Sequence, residues 1–305
     1  MNHQIKRIPL LLSDPSPALG FKLMPNLPHQ LPAWHIEMLG DTKRLEFYAN
    51  NLKKIVSDKI VLDLGAGTGV LSYLCLKFGA KKVISIEKND VISEIYEEFM
   101  SEWIQEGRAT LIKGDILSLQ EISFERPDLI IHELFGPDGF SEDILGIIEK
   151  ISSFEVLKEA PLFPNQFSLN IQFCTSMESD HSRLNDFEGF PLSRLTPLVD
   201  AYPRYISHRQ FLDFKFKPLG ERIEYQTFTI TNKQITLVPI EITVPAGATH
   251  LMVSLEIKGE EGEHLSSDFF KGYSHWPNSM IKLPHKEKVT LVARLDGKIF
   301  RYTVV

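Results

Sequence analysis

The chain has 305 residues, 43% hydrophobic and 24% charged, with 33 lysines plus arginines against 40 aspartates plus glutamates for a formal charge of −7. That length and apolar content exclude whole-chain disorder and allow one large core or two domains of roughly 150 residues each. The acidic balance speaks against a broad nucleic-acid-binding surface, which needs excess cations.

In chain order, Lys6-Arg7 precedes only Ile8-Pro9-Leu10-Leu11-Leu12 before Ser13-Asp14-Pro15, too short and too proline-broken for a signal peptide. No run of about 18 uncharged apolar residues follows, so no membrane partner is expected. From residue 60 to about 149, short apolar runs at 60–64, 82–86, 109–112 and 129–132 alternate with helical spacing at 69–78 and 91–106. This is the pattern of βαβ units in a parallel sheet. Asn89-Asp90 is set to cap the second helix, with Glu94 and Glu97 near its positive end. After Pro161 strict alternation takes over, at 227–230, 235–238, 250–255 and 289–295. That half reads as antiparallel sheet, a barrel or a sandwich. A boundary near Phe163-Pro164 divides the chain into 1–162 and 163–305, with an irregular insertion at about 175–204. The two cysteines, Cys75 and Cys174, frame neither a disulfide scaffold nor a thiolate zinc site, which fits a reducing, cytoplasmic compartment.

The first predicted strand runs into Gly65-Ala66-Gly67-Thr68-Gly69 and then a helix, a turn that lets a ligand approach backbone amides closely. The spacing Gly-x-Gly-x-Gly is not the dinucleotide fingerprint. Glu87, ending the next strand, is placed to accept both ribose hydroxyls of an adenosine-bearing cofactor. Gly114-Asp115-Ile116 ends the third strand where an adenine could be flanked by one polar and one apolar side chain. With Asp63 just before the turn, these residues point to S-adenosylmethionine.

The fourth strand ends in His132-Glu133-Leu134-Phe135-Gly136-Pro137-Asp138-Gly139-Phe140-Ser141-Glu142, so two carboxylates flank a loop at the sheet's carboxyl edge. Such a pair can share a proton, bind a metal or clamp a cation. A planar guanidinium is the organic cation best matched to it. Asp138 and His132 lack recognisable metal-ligand spacing, so no metal is expected. A structural alternative is that Glu142 caps the following helix.

With these residues the sequence resembles the protein arginine N-methyltransferase family along nearly the whole chain. Met38-Leu39-Gly40-Asp41-Thr42-Lys43-Arg44-Leu45-Glu46-Phe47-Tyr48 fits the family's Met-Leu-x-Asp-x-x-Arg-x-x-x-Tyr helix, Glu133 and Glu142 its acidic hairpin, and Ser274-His275-Trp276 its Thr-His-Trp loop. Pro-Ala-Trp-His before Met38 and Glu-Leu-Phe at Glu133 look more like the tandem-repeat, monomethylating branch and its bacterial single-copy relatives. The resemblance implies an α/β fold: a Rossmann-like S-adenosylmethionine-binding domain, then an antiparallel β-barrel carrying a dimerisation arm at 175–204, in a homodimer. It also implies that Arg44 holds the cofactor's carboxylate and that Glu133 and Glu142 clamp the substrate guanidinium. Asp41 and His275 would then form a proton-accepting pair, while Trp276 and Met38 line the substrate slot. Leu117 stands where many relatives carry a glutamate for the adenine, leaving Asp115 as a substitute. Ile144 replaces a second methionine of the asymmetric-dimethylating branch. The implied substrate is arginine in a protein or peptide. Free arginine or another small guanidine is the alternative, and a non-catalytic cofactor-binding scaffold a further one.

Overall fold

The fold was obtained as a computed structural model. It describes residues 33–176, 189, 191–195, 204–230, 237–296 and 299–305. The apolar stretch at 8–12, most of the insertion at 175–204 and half of the expected strand at 235–238 lie outside them.

Two helices open the described chain, α1 (Ala33–Gly40) and α2 (Thr42–Ile55), separated at Asp41, whose side chain caps α2. On α2, Arg44, Phe47, Tyr48, Asn51 and Leu52 recur at helical spacing and are all buried. The Tyr48 hydroxyl donates to the His132 carbonyl at 3.1 Å, and Asn51 accepts the Glu260 N–H at 2.8 Å. This helix is therefore fastened to both halves of the molecule.

The parallel sheet comprises β1 (Ile60–Leu64), β2 (Lys82–Glu87), β3 (Ala109–Lys113), β4 (Leu129–His132) and β5 (Leu162–Phe163), in the order β3-β2-β1-β4-β5. Strand order reverses at β1, and the crevice outside the carboxyl ends of β1, β2 and β4 is the natural ligand site of such a sheet. α3 (Val70–Lys77) follows β1. The expected helix at 91–106 is broken into α4 (Asp90–Phe99) and α5 (Ser101–Gln105) by Met100, which turns into the core beside Gly69. Asn89 caps α4 through the Ile92 N–H, as its position predicts. α6 (Ile144–Ser152) leads back to β5.

The rest is antiparallel: β6 (Gln166–Thr175), β7 (Arg204–Ile206), α7 (His208–Asp213), β8 (Lys217–Thr229), β9 (Ile240–Thr243), β10 (His250–Lys258), β11 (His264–Ser266), β12 (Asn278–Lys282), β13 (Lys288–Asp296) and β14 (Ile299–Val304). They form one sheet ordered β7-β12-β10-β6-β8, with β11 beside β10, and a second ordered β14-β13-β9. The antiparallel expectation holds. Among the described residues no ladder joins the two sheets into a closed barrel, and Leu237 and Val238 lie outside any strand. Nor is any helix among them long and apolar enough to cross a membrane.

Candidate active site

The glycine turn after β1 is dictated by close approach. A β-carbon on Gly65, at φ 68°, would lie 2.7 Å from Leu134, and one on Gly69, at φ 88°, 2.8 Å from Tyr96. Glu87, buried at the end of β2, accepts the Gly67 N–H at 2.9 Å with one oxygen and the Asn89 N–H at 2.8 Å with the other. Each oxygen retains a further lone pair. Asp115 is exposed at the end of β3, where it accepts the Leu117 N–H at 2.9 Å, and Ile116 beside it is buried.

Asp63, expected at the ligand, is instead 1% exposed and turned beneath α3. It accepts the Ser72 hydroxyl at 2.6 Å, and the chain continues from Ser72 to Ser85 at 2.8 Å and from Ser85 to Tyr96 at 2.6 Å. Burial pushes its carboxyl up to about 7, and its Oδ1 has no partner.

β4 delivers the acidic loop. His132 is fully buried, with Nε2 facing the Pro164 carbonyl at 2.8 Å and Nδ1 accepting the Leu134 N–H at 3.2 Å. Burial brings its pKa down to about 4, so this imidazole is a neutral brace on the backbone either side of Glu133.

The Glu133 side chain, 5% exposed, is gripped bidentately by Arg44: Nε lies 2.5 Å from both oxygens, and Nη2 completes the fork. Burial opposes the Arg44 charge, but Glu133 overcomes it and holds the guanidinium above its ordinary pKa. Arg44 Nη1 also donates to the carbonyl of half-buried Met38 at 3.3 Å. His275 presents Nε2 to Glu133 at 3.6 Å and Nδ1 to Asp41 at 3.0 Å, and its N–H donates to the same Asp41 oxygen at 3.1 Å. The other Asp41 oxygen accepts the Arg44 N–H at 3.0 Å. Burial would raise the Asp41 pKa, but these hydrogen bonds from His275 and Arg44 hold it below its usual value. Asp41, Arg44, Glu133 and His275 thus form one buried network.

Glu142 stands outside that network, exposed at the far end of the loop. Although the residue is exposed, its carboxyl end is partly enclosed, and this burial, aided by Glu133 and Glu87 and opposed by Lys88 and His275, raises its pKa. It does not cap α6: Asp143 precedes that helix at φ 58°, with no side-chain cap. Trp276 is buried, with its indole N–H on the Phe135 carbonyl at 2.8 Å and its ring 4.1 Å from that of His275. Ile144 is buried and Leu117 half-buried. Among the described residues no group of three or more His, Cys, Asp or Glu side chains could hold a metal ion.

His35 on α1 ends the Pro-Ala-Trp-His stretch, but nothing in the sequence places it at the site. It lies over the glycine turn, 3.8 Å from where a Gly67 β-carbon would be. Burial keeps its imidazole below the ordinary pKa despite the nearby Glu87 and Glu133.

A family profile described as FtsJ-like methyltransferase matches residues 45–179. Over 171 residues the chain is 31% identical to protein arginine N-methyltransferase 1 of Saccharomyces cerevisiae, covering 54% of this chain and 49% of that one. Over 175 residues it is 30% identical to the protein of the same name from Chlamydomonas reinhardtii, covering 55% and 50%. Over that stretch the chain is similar to the protein arginine N-methyltransferases. It spans about half the length of the curated arginine N-methyltransferases it matches. Its fold is similar to the Trypanosoma brucei PRMT1 enzyme-prozyme heterotetrameric complex with AdoHcy, at TM-score 0.71 and 21% identity over 86% of this chain and 88% of that one. It is also similar to Arabidopsis thaliana protein arginine methyltransferase 10, at TM-score 0.68 and 13% identity over 88% and 97%. At such identities the likeness speaks for the fold: a Rossmann-like parallel sheet followed by antiparallel sheet.

Proposed function

We propose that the protein is an S-adenosylmethionine-dependent N-methyltransferase acting on the guanidino group of arginine in proteins or peptides. The observation that carries this reading is the Arg44 guanidinium seated bidentately on Glu133. A carboxylate at the carboxyl edge of the sheet is held, by buried partners, in the orientation a planar guanidinium needs. Its oxygens have further lone pairs, so Glu133 receives a substrate guanidinium on its other side, with Glu142 on the open flank.

The cosubstrate site fits its residues. Gly65, Gly67 and Gly69 allow close backbone approach, Glu87 keeps lone pairs for ribose hydroxyls, Asp115 and Ile116 flank the adenine, and Arg44 retains donors for the amino-acid carboxylate. Asp63 serves from beneath by holding α3 to β1. When bound, S-adenosylmethionine supplies an electrophilic methyl group on a sulfonium. Glu133 and Glu142 draw the guanidinium's positive charge to one part of the ion and free electron density on the terminal nitrogen facing the methyl. Alignment at about 3 Å supplies much of the rate. The nitrogen gives up its proton to Glu142 or to the Asp41–His275 pair once transfer has begun. Met38 borders the reacting nitrogen, and Trp276 backs the slot through its hold on Phe135.

The same reading divides the chain into a cofactor domain at 1–162 and a substrate domain at 163–305, working as a cytoplasmic homodimer. Exposed Leu192 and Leu195, on the short 3-10 turn within 175–204, support an arm that needs a partner surface. Light scattering should give twice the mass of one chain. The activity is tested by transfer of labelled methyl to an arginine-rich peptide, a lysine-substituted control and free arginine. Label on peptide arginine alone is expected. Label on free arginine moves the substrate to small guanidines, and binding of S-adenosylhomocysteine without any transfer leaves the scaffold reading.

A further inference from the structure

Midway between Glu133 and Glu142 lies a buried carboxylate with no part in that chemistry. Asp138 is 1% exposed. Its Oδ1 accepts the N–H groups of Phe140 and Ser141, both at 2.8 Å, and its Oδ2 accepts the hydroxyl of Tyr205 on β7 at 3.1 Å. The loop around it has no slack. A β-carbon on Gly136 would fall 1.7 Å from the Ser141 hydroxyl, and one on Gly139, at φ 80°, 2.4 Å from the Phe167 ring. The Phe140 ring is fixed edge-on to Phe167 and Phe228, at centroid distances of 5.1 and 5.2 Å. Ser141 directly precedes Glu142, so the Asp138 carboxylate sets where the Glu142 backbone begins.

Tyr205 stands opposite Ser279 in the β7–β12 ladder. β12 follows the Ser274-His275-Trp276 turn, whose indole holds Phe135. One edge of the antiparallel sheet therefore grips the acidic loop twice: near Glu133 through Trp276, and before Glu142 through Tyr205. A half-exposed tyrosine can leave its hydroxyl to water, whereas a buried carboxylate needs its partners. Burial and the adjacent Asp138 push the Tyr205 phenol up, which keeps it a donor.

We propose that Tyr205 and Asp138 are positioning residues for Glu142, through which the strand following the 175–204 segment sets the open end of the guanidinium clamp. The proposal rests on the reading of Glu142 as a substrate-binding carboxylate. The charged groups that face Glu142 are Lys88, Glu87, Glu133 and His275, and Tyr205→Phe leaves all of them in place.

The test follows the Glu142 carboxyl by carbon-13 NMR in glutamate-labelled protein, assigned with Glu142→Gln, beside methyl transfer to an arginine-rich peptide. In Tyr205→Phe, shown to be folded by its melting curve, the Glu142 titration should move down toward the ordinary glutamate range. The kcat for peptide should fall about tenfold, its acid limb shifting the same way, while the Kd for S-adenosylhomocysteine stays within about twofold. Asp138→Asn, whose amide still accepts the two N–H groups and can donate to the Tyr205 oxygen, should keep most of the rate. Asp138→Ala should not, and adding Tyr205→Phe to it should cost nothing more. An unmoved Glu142 titration in Tyr205→Phe, or losses that multiply in the double variant, overturns the proposal. If the parent protein methylates no guanidine, the functional reading fails by itself, because the NMR titration still reports the link.

Discussion

Glu133 and Glu142 bound one short loop, yet the protein holds them in opposite ways. Glu133 is sealed in, braced by His132, paired with Arg44 and approached by His275. Glu142 is exposed as a residue with its carboxyl end partly enclosed, and has two other glutamates, one lysine and His275 as its nearby charges. A buried, fully paired carboxylate is a fixed charge whose removal strands its partner, whereas an exposed one can be neutralised at little structural cost. The loop therefore joins a structural anchor to a carboxylate whose charge is adjustable.

The largest expected effects test that difference directly. Glu133→Gln and Glu142→Gln should each lower methyl transfer by at least about a hundredfold, roughly 2.7 kcal/mol of barrier. Only Glu133→Gln should also lower stability, by about 3–5 kcal/mol, because Arg44 is left buried without its counter-ion. Urea unfolding separates the two, and equal stability losses would erase the distinction. Arg44→Ala is expected to have a similar stability cost from the other side of the pair. It should also weaken S-adenosylhomocysteine binding and slow turnover together, since Glu133 then lacks the partner that orients it. A variant that binds the cosubstrate normally but fails to turn over would show that Arg44 serves Glu133 alone.

Asp63 sharpens the comparison as a carboxylate that is buried but unpaired by any cation. Its folded pKa of about 7 lies above its unfolded value, so the folded state binds the extra proton between them. Stability from this group is therefore greatest below pH 4 and falls as pH rises toward 7, by up to roughly 4 kcal/mol. Asp63→Asn should remove that slope: the variant gains on the parent in urea unfolding at pH 8 and loses the advantage near pH 4.5. An advantage that does not change with pH would mean that Asp63 is ionised throughout.

Legibility in the sequence followed burial. The first four parallel strands could be read because strands covered on both faces appear as apolar runs bounded by turns. β6 is covered almost along its whole length, from Phe167 to Cys174, yet Ser168, Asn170 and Gln172 interrupt it. Its apolar and polar residues alternate strictly from Phe167 to Phe173, a strand pattern present in the sequence, although here both faces are buried. The motif residues Asp41 and His275, 234 positions apart, do meet. What could not be read was the sharing of one carboxylate. The family resemblance assigns Arg44 to the cosubstrate and Glu133 to the substrate, but the fold lays one on the other across 89 positions. Asp63 was misplaced for a related reason: proximity to a glycine turn in sequence does not say which side of the strand a side chain leaves from. His132 and Asp138 carry the loop's internal bonds, and a lone histidine and a lone aspartate give no pattern to detect.

The smallest expected effect isolates the adjustable end of the loop. Lys88, exposed just after β2, is the nearby cation that opposes the rise of the Glu142 pKa. If turnover needs Glu142 ionised, activity is lost as pH falls through that raised pKa, so the acid limb lies above the ordinary glutamate value. Lys88→Ala removes the opposing field and should move the limb to still higher pH. The shift should be less than about one unit, because the pair is solvent-screened. Rates at pH 8 should match the parent, those near pH 5 should fall a few-fold, and added salt should shrink the difference. Glu133, enclosed by Arg44 and His275, lies outside that screening, so an acid limb insensitive to both Lys88 and salt would assign the titration to the sealed end of the loop and reverse the roles given to the two glutamates.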